Sequence, residues 1–378
     1  MSTVIRLHIA FAAVVLITAC AHADPATSGD GGTGDDGGGS PHACEPGELA
    51  TDVGSDGAIT CSAITEPTRA AISGGCSAYL GWRDGCDGCT FAPTKWGNAG
   101  ATCAVGLGDN GTCATADLGG ASVALFGLNP DGDVNDDDKL YTGLHCVTPM
   151  ATPSIAPCPA GSFITGKIGS SWECTPIAVA AIDYVRTSCS IYLGWQDGCG
   201  GCQTPPVKWG FAGDGGCTNG AGADNACLTA MLGTEPVTLF GLNPDGDVDD
   251  NDKIHVGMHC TTPTAMTTTS MTTCPAGELV TGTATDGSFQ CASAAPQFHD
   301  YFTQHCSLYF GWRDSCDGCS LPPAKWGRVV DGTCTLGVGG NDTCTTFSLG
   351  GTDVAMFGLN PSGDVNDDDK LYLALHCD

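Results

Sequence analysis

Eight cysteines recur in the same order three times along this chain of 378 residues. The first set is Cys44, Cys61, Cys76, Cys86, Cys89, Cys103, Cys113 and Cys146. The second is Cys158, Cys174, Cys189, Cys199, Cys202, Cys217, Cys227 and Cys260, and the third is Cys274, Cys291, Cys306, Cys316, Cys319, Cys334, Cys344 and Cys377. A period of about 115 residues is too long for a solenoid of short repeats and reads as three disulfide-stapled modules, beads on a string. The expected modules are 44–146, 158–260 and 274–378, joined by linkers 147–157 and 261–273.

Each module has two parts. The opener is a cysteine-bracketed segment, and an Asp-Gly pair in the first and third copies gives it the turn chemistry of a hairpin, which predicts pairs Cys44 with Cys61, Cys158 with Cys174 and Cys274 with Cys291. A stretch of about fourteen residues follows, and in the second copy (TPIAVAAIDYVRTS) it has the character of a short helix. The core units are 76–146, 189–260 and 306–377. Their short β-branched and aromatic runs, bounded by Gly, Asn, Pro and Asp, read as strands, so the fold class is mostly β. Units near 71 residues are stabilised only marginally by a core of their own, and disulfides and a metal are the usual supplements. Cys76 with Cys146, Cys189 with Cys260 and Cys306 with Cys377 would tie first strand to last, although six cysteines allow 15 connectivities and spacing does not choose among them. Linkers rich in Pro, Thr and Ser are expected to be extended and to let the modules move independently.

Every core unit carries one acidic loop: FGLNPDGDVNDDDKLYTGLHC (126–146), FGLNPDGDVDDNDKIHVGMHC (240–260) and FGLNPSGDVNDDDKLYLALHC (357–377). Two like charges about 4 Å apart repel by roughly 4 kcal/mol at an effective dielectric near 20, so something must neutralise such a turn. Hard oxygen ligands at alternating positions suit Ca2+ in a structural role. The candidate ligands are Asp131, Asp133, Asn135, Asp137 and Asp138; Asp245, Asp247, Asp249, Asn251 and Asp252; and Asp364, Asn366, Asp368 and Asp369, with Ser362 making the third site the weakest. The loops are similar to EF-hand loops only in their first five positions. They lack the glycine at the sixth and the glutamate at the twelfth, so that fold and its switching are not carried over.

Other pairings carry less. In an exported chain the CxxC pairs read as structural disulfides, and His145, His259 and His376, each beside a closing cysteine, read as strand-face histidines. Trp82 with Asp84, Trp195 with Asp197 and Trp312 with Asp314 are candidates for holding a sugar by stacking and hydroxyl contacts, against the plainer reading that the rings fill the core.

The chain opens MSTVIRLHIAFAAVVLITACAHAD, with Arg6 ahead of a short apolar run, the pattern of a secretory signal. Ile17, Thr18, Ala19 and Cys20 resemble the lipobox of bacterial lipoproteins, with Ile17 where that family most often has leucine. The resemblance implies cleavage before Cys20, lipid on its thiol and, from Ala21 under the family's sorting rule, the outer membrane of a host that has two. Setting Cys20 aside leaves 25 − 1 = 24 cysteines, all able to pair. Residues 24–43 have little to bury and predict a flexible tether, whose roughly twenty residues average about 25 Å of reach.

A formal charge of −29 argues against nucleic acid and against docking on anionic headgroups as partners. No GxSxG or HExxH is present and no phosphate-cradling glycine motif stands in a strand-to-helix setting, so no enzyme is expected. Repetition suits multivalent contact. The expected function is a surface-exposed, membrane-anchored lipoprotein binding a surface glycan or protein through three calcium-stabilised modules; the other expectation is a structural or protective envelope component with no specific ligand.

Overall fold

The computed structural model describes residues 43–378 except 46, 56, 151–153, 156, 169–170, 199–202, 265–266, 272–273, 276–277, 285, 316–317 and 319. The expected signal segment, Cys20 and the tether as far as residue 42 lie outside the described residues, as do Cys199, Cys202, Cys316 and Cys319. The described residues are mostly β, with three helices.

In the first repeat the core unit folds as strands Cys76–Arg83, Lys95–Gly100, Cys103–Leu107, Thr112–Leu118, Ala121–Leu128 and Lys139–Cys146, and the same six recur in the other two repeats. The central strands read as near-continuous apolar runs because both faces are covered: every residue of Lys139–Cys146 is buried. Cys76–Arg83 lies antiparallel to Lys139–Cys146 in full register, from Cys76 opposite Cys146 to Arg83 opposite Lys139.

The repeats are not beads on a string. The other edge of Lys139–Cys146 pairs with Glu235–Leu242 of the second repeat, with Phe240 opposite Thr142 and Leu242 opposite Leu140. In the same way Lys253–Cys260 takes Thr352–Leu359 of the third repeat, and Lys370–Cys377 takes Ala121–Leu128 of the first. Each of the three six-stranded sheets is therefore four strands of one repeat plus a hairpin from the next, and the third closes on the first. The exchange requires close backbone approach: a Cβ at Gly143 would stand 2.6 Å from the Thr238 carbonyl oxygen. It also removes the small-core difficulty, because one apolar cluster now runs through all three repeats.

The openers are stacked hairpins whose apolar residues Ala50, Ile164, Val280 and Phe289 form a shared cluster. Their backbones close a ring, in which Cys44 donates to Thr281, Cys158 to Thr51 and Cys274 to Thr165. Expected independence of the linkers is corrected here too, since Ser154–Ile155 and Thr267–Met271 are edge strands on the second and third openers. Helices α1 (Thr65–Gly75), α2 (Ile177–Ser188) and α3 (Ala295–His305) follow the openers, so the segment is helical in every repeat. They pack through Ile72, Ile182, Val185, Phe298 and Phe302, all buried; tertiary contact overrides the weak local signal of the first and third copies.

Disulfides join Cys44 to Cys61, Cys158 to Cys174 and Cys274 to Cys291 in the openers. In the core units they join Cys76 to Cys146, Cys189 to Cys260 and Cys306 to Cys377. Cys86 pairs with Cys89, and Cys103 with Cys113, Cys217 with Cys227 and Cys334 with Cys344.

Candidate functional site

Each helix ends at the cysteine that begins the first core strand, and that strand runs eight residues before it reaches the level of the acidic loop. At about 3.3 Å per residue the acidic loops lie roughly 25 Å beyond the helix ends. The three loops meet there. Val134, Val248 and Val365 are fully buried at their centre and close a backbone ring: Val248 N donates to Val134 O at 2.7 Å, Val365 N to Val248 O at 2.8 Å and Val134 N to Val365 O at 2.7 Å. A second ring surrounds it, in which the Asn129 side-chain amide donates to the Asp369 carbonyl, Asn243 to Asp138 and Asn360 to Asp252.

The loop charge is partly neutralised by protein groups. Lys95 donates to the Asn129 carbonyl at 3.1 Å and pairs with Asp131; Lys208 donates to the Asn243 carbonyl at 3.1 Å and pairs with Asp245. In the third loop, where Ser362 replaces the aspartate, Lys325 donates instead to the carbonyls of Asn360 at 2.9 Å and Gly340 at 3.0 Å. Each ammonium also lies over a tryptophan, Lys95 at 5.7 Å from the Trp82 ring, Lys208 at 5.9 Å from Trp195 and Lys325 at 6.0 Å from Trp312.

The sequence-derived ligand sets divide accordingly. Asp138, Asp252 and Asp369 turn inward and accept backbone amides: Asp138 from Gly85 at 2.9 Å and Asn135 at 3.2 Å, Asp252 from Gly198 and Asp249, Asp369 from Ser315 and Asn366. Burial raises all three carboxyls, Asp138 and Asp369 to about 6. The side-chain oxygens of Asn135, Asp249 and Asn366 accept the amide two residues on, an Asx turn in each loop. Asp133, Asp137, Asp247, Asn251, Asp364 and Asp368 are exposed, and Asp136, Asp250 and Asp367 join them. Among the described residues no group of three or more His, Cys, Asp or Glu side chains is arranged to hold a metal ion.

The sugar-stacking expectation is corrected. Trp82, Trp195 and Trp312 are 1%, 1% and 2% exposed, so their faces are closed to a ligand, while Asp84, Asp197 and Asp314 sit outside at the surface.

Sequence reasoning missed the lysines. Six of the thirteen basic residues occupy equivalent positions, Lys95, Lys208 and Lys325 before a tryptophan and Lys139, Lys253 and Lys370 after the loop, and all six are buried. In a chain so poor in cations, that recurrence was the available signal for buried ammonium groups beside the loops: Lys95 and Lys208 pair with loop aspartates, whereas Lys139 donates to the Cys89 carbonyl, Lys253 to the Thr343 hydroxyl and Lys370 to the Thr112 hydroxyl.

Fold and site together define a class: a single-chain β protein of three repeats, joined by cyclic exchange of hairpins, with an acidic end. No protein-family model, curated protein or solved structure matches the chain.

Proposed function

We propose that this protein is an envelope lipoprotein, anchored through Cys20, that binds a ligand at the cell surface through its acidic end, with calcium as the bridging ion. The observation that carries this reading is the convergence of three acidic loops around the Val134, Val248 and Val365 ring, at the end of the folded unit away from Ala43, where the chain enters the openers.

Exposed carboxylates on three joined loops make one multivalent surface of high negative potential rather than three separated sites. Oxygen-only groups of this kind suit calcium at the weak affinities of extracellular modules, about 10⁻⁴ to 10⁻³ M. The bound ion would bridge loop carboxylates to anionic groups of a surface glycan or protein. Nothing in the motifs supports catalysis, and the function is adhesion rather than turnover. The test is binding of the Cys20→Ser protein to a glycan array and to whole cells, with millimolar calcium and with chelator. Calcium-dependent retention supports the reading; retention equal in both conditions, or none in either, contradicts it and favours a structural envelope role.

A further inference from the structure

The three joints between repeats are built alike, and one is missing a part. Where the first repeat meets the second, His145 Nδ1 lies 2.9 Å from an Asp214 oxygen, Arg186 Nε lies 2.5 Å from the other, and the Cys146 amide donates to the same carboxylate. Where the second meets the third, His259 Nδ1 lies 2.7 Å from Asp331, the Cys260 amide donates to it at 3.3 Å and His299 Nε2 lies 4.0 Å away. Both carboxylates are nearly buried, with side-chain exposures of 5% and 9%.

Alignment on the KWG triplets puts Ala101 at this position where the third repeat meets the first. The donors remain. His376 precedes Cys377 as His259 precedes Cys260, and Arg69 stands seven residues before its cysteine, as His299 does before Cys306. His376 engages exposed Asp378 through Nε2 at 3.2 Å, just as His145 Nε2 faces Glu235, so the nitrogen that holds the carboxylate elsewhere is not the one used. Arg69 reaches the solvent-facing Glu66. Between these groups is a cavity of ≈ 260 Å³ lined by Arg69, Ser73, Ala101, His376 and Cys377, with Ile72 on its apolar side.

We propose that this cavity binds a small organic carboxylate, whose two oxygens take the place that Asp214 and Asp331 fill at the other joints. Arg69, His376 and the Cys377 amide would hold the anion by charge-assisted hydrogen bonds, and Ile72 with the neighbouring Leu375 would cover a short apolar tail. The other two joints act as internal liganded copies of the same site.

Sodium propionate titrated into the purified protein, against sodium chloride of equal ionic strength, tests this by calorimetry and thermal melting. One molecule should bind per chain with a saturable rise in melting temperature. Ala101→Asp, which restores the missing carboxylate, should abolish propionate binding and raise the ligand-free melting temperature. Arg69→Ala should fold and weaken binding by about tenfold or more, the scale of one hydrogen bond to a charge. Equal melting in propionate and chloride overturns the proposal, as does an Ala101→Asp protein that binds propionate like the original. Should Ala101→Asp not fold, unchanged affinity in Arg69→Ala overturns it alone.

Discussion

The amide of Val134 donates to the carbonyl of Val365 at 2.7 Å, tying the first acidic loop to the last. The contact exists only because the hairpins have been exchanged around a closed cycle, and it places three like-charged turns side by side with apolar side chains at their centre.

A charge placed there has no partner. Val248→Asp should destabilise the protein by about 3 kcal/mol or more, the cost of an uncompensated buried carboxylate. Denaturant melts would show the loss, whereas Asp247→Asn, exposed one residue away, should change stability by less than about 0.5 kcal/mol.

His255 is fully buried, and desolvation lowers its imidazole to about 3. The unfolded chain takes up this proton near 6.5, so the stability it contributes is present above about 6.5 and is lost as pH falls toward 3. Asp138 and Asp369, raised to about 6 by burial, act oppositely between about 6 and 4. Tyr141 and Tyr372 occupy the equivalent place in the other repeats and donate to Phe91 and Leu321 carbonyls. His255→Tyr should therefore remove the histidine contribution alone, gaining about 3 kcal/mol at pH 4 relative to pH 7.5, measured as the difference between paired urea melts.

Lys208→Met removes a nearly buried ammonium from Asp245, the Asn243 carbonyl and the Trp195 ring. It should cost about 2 kcal/mol in the absence of calcium. If calcium binds the acidic end, the extra negative charge should make the variant respond more strongly than the original to millimolar calcium in thermal melts.

Disulfides should rank by the chain they close. Cys76–Cys146 spans 70 residues and Cys103–Cys113 spans 10. Chain entropy gives about 4.4 and about 2.7 kcal/mol for the two. Paired Ser replacements compared by denaturant melting should preserve that order.

The strands and turns of each repeat were legible because alternation, β-branching and Asp-Gly or Asn-Pro punctuation are local. So was the presence of a charged turn demanding neutralisation. The exchange was not legible: Phe240 pairs with Thr142 across repeats with the same residue types that would serve within one, and a repeat carries no mark of which copy its edge will meet. Burial of Trp82 was one of the two readings the sequence offered; its contact with Lys95 was not legible, since a tryptophan flanked by carboxylates in sequence looks alike whether it faces a ligand or a lysine from a neighbouring strand.

Differential scanning calorimetry of the oxidised protein tests the closed exchange most directly. Sheets shared around a cycle predict one cooperative transition, shifted as a whole by a destabilising change in any single repeat such as Gly143→Leu. Three separable transitions, with only one moved by that change, would contradict it.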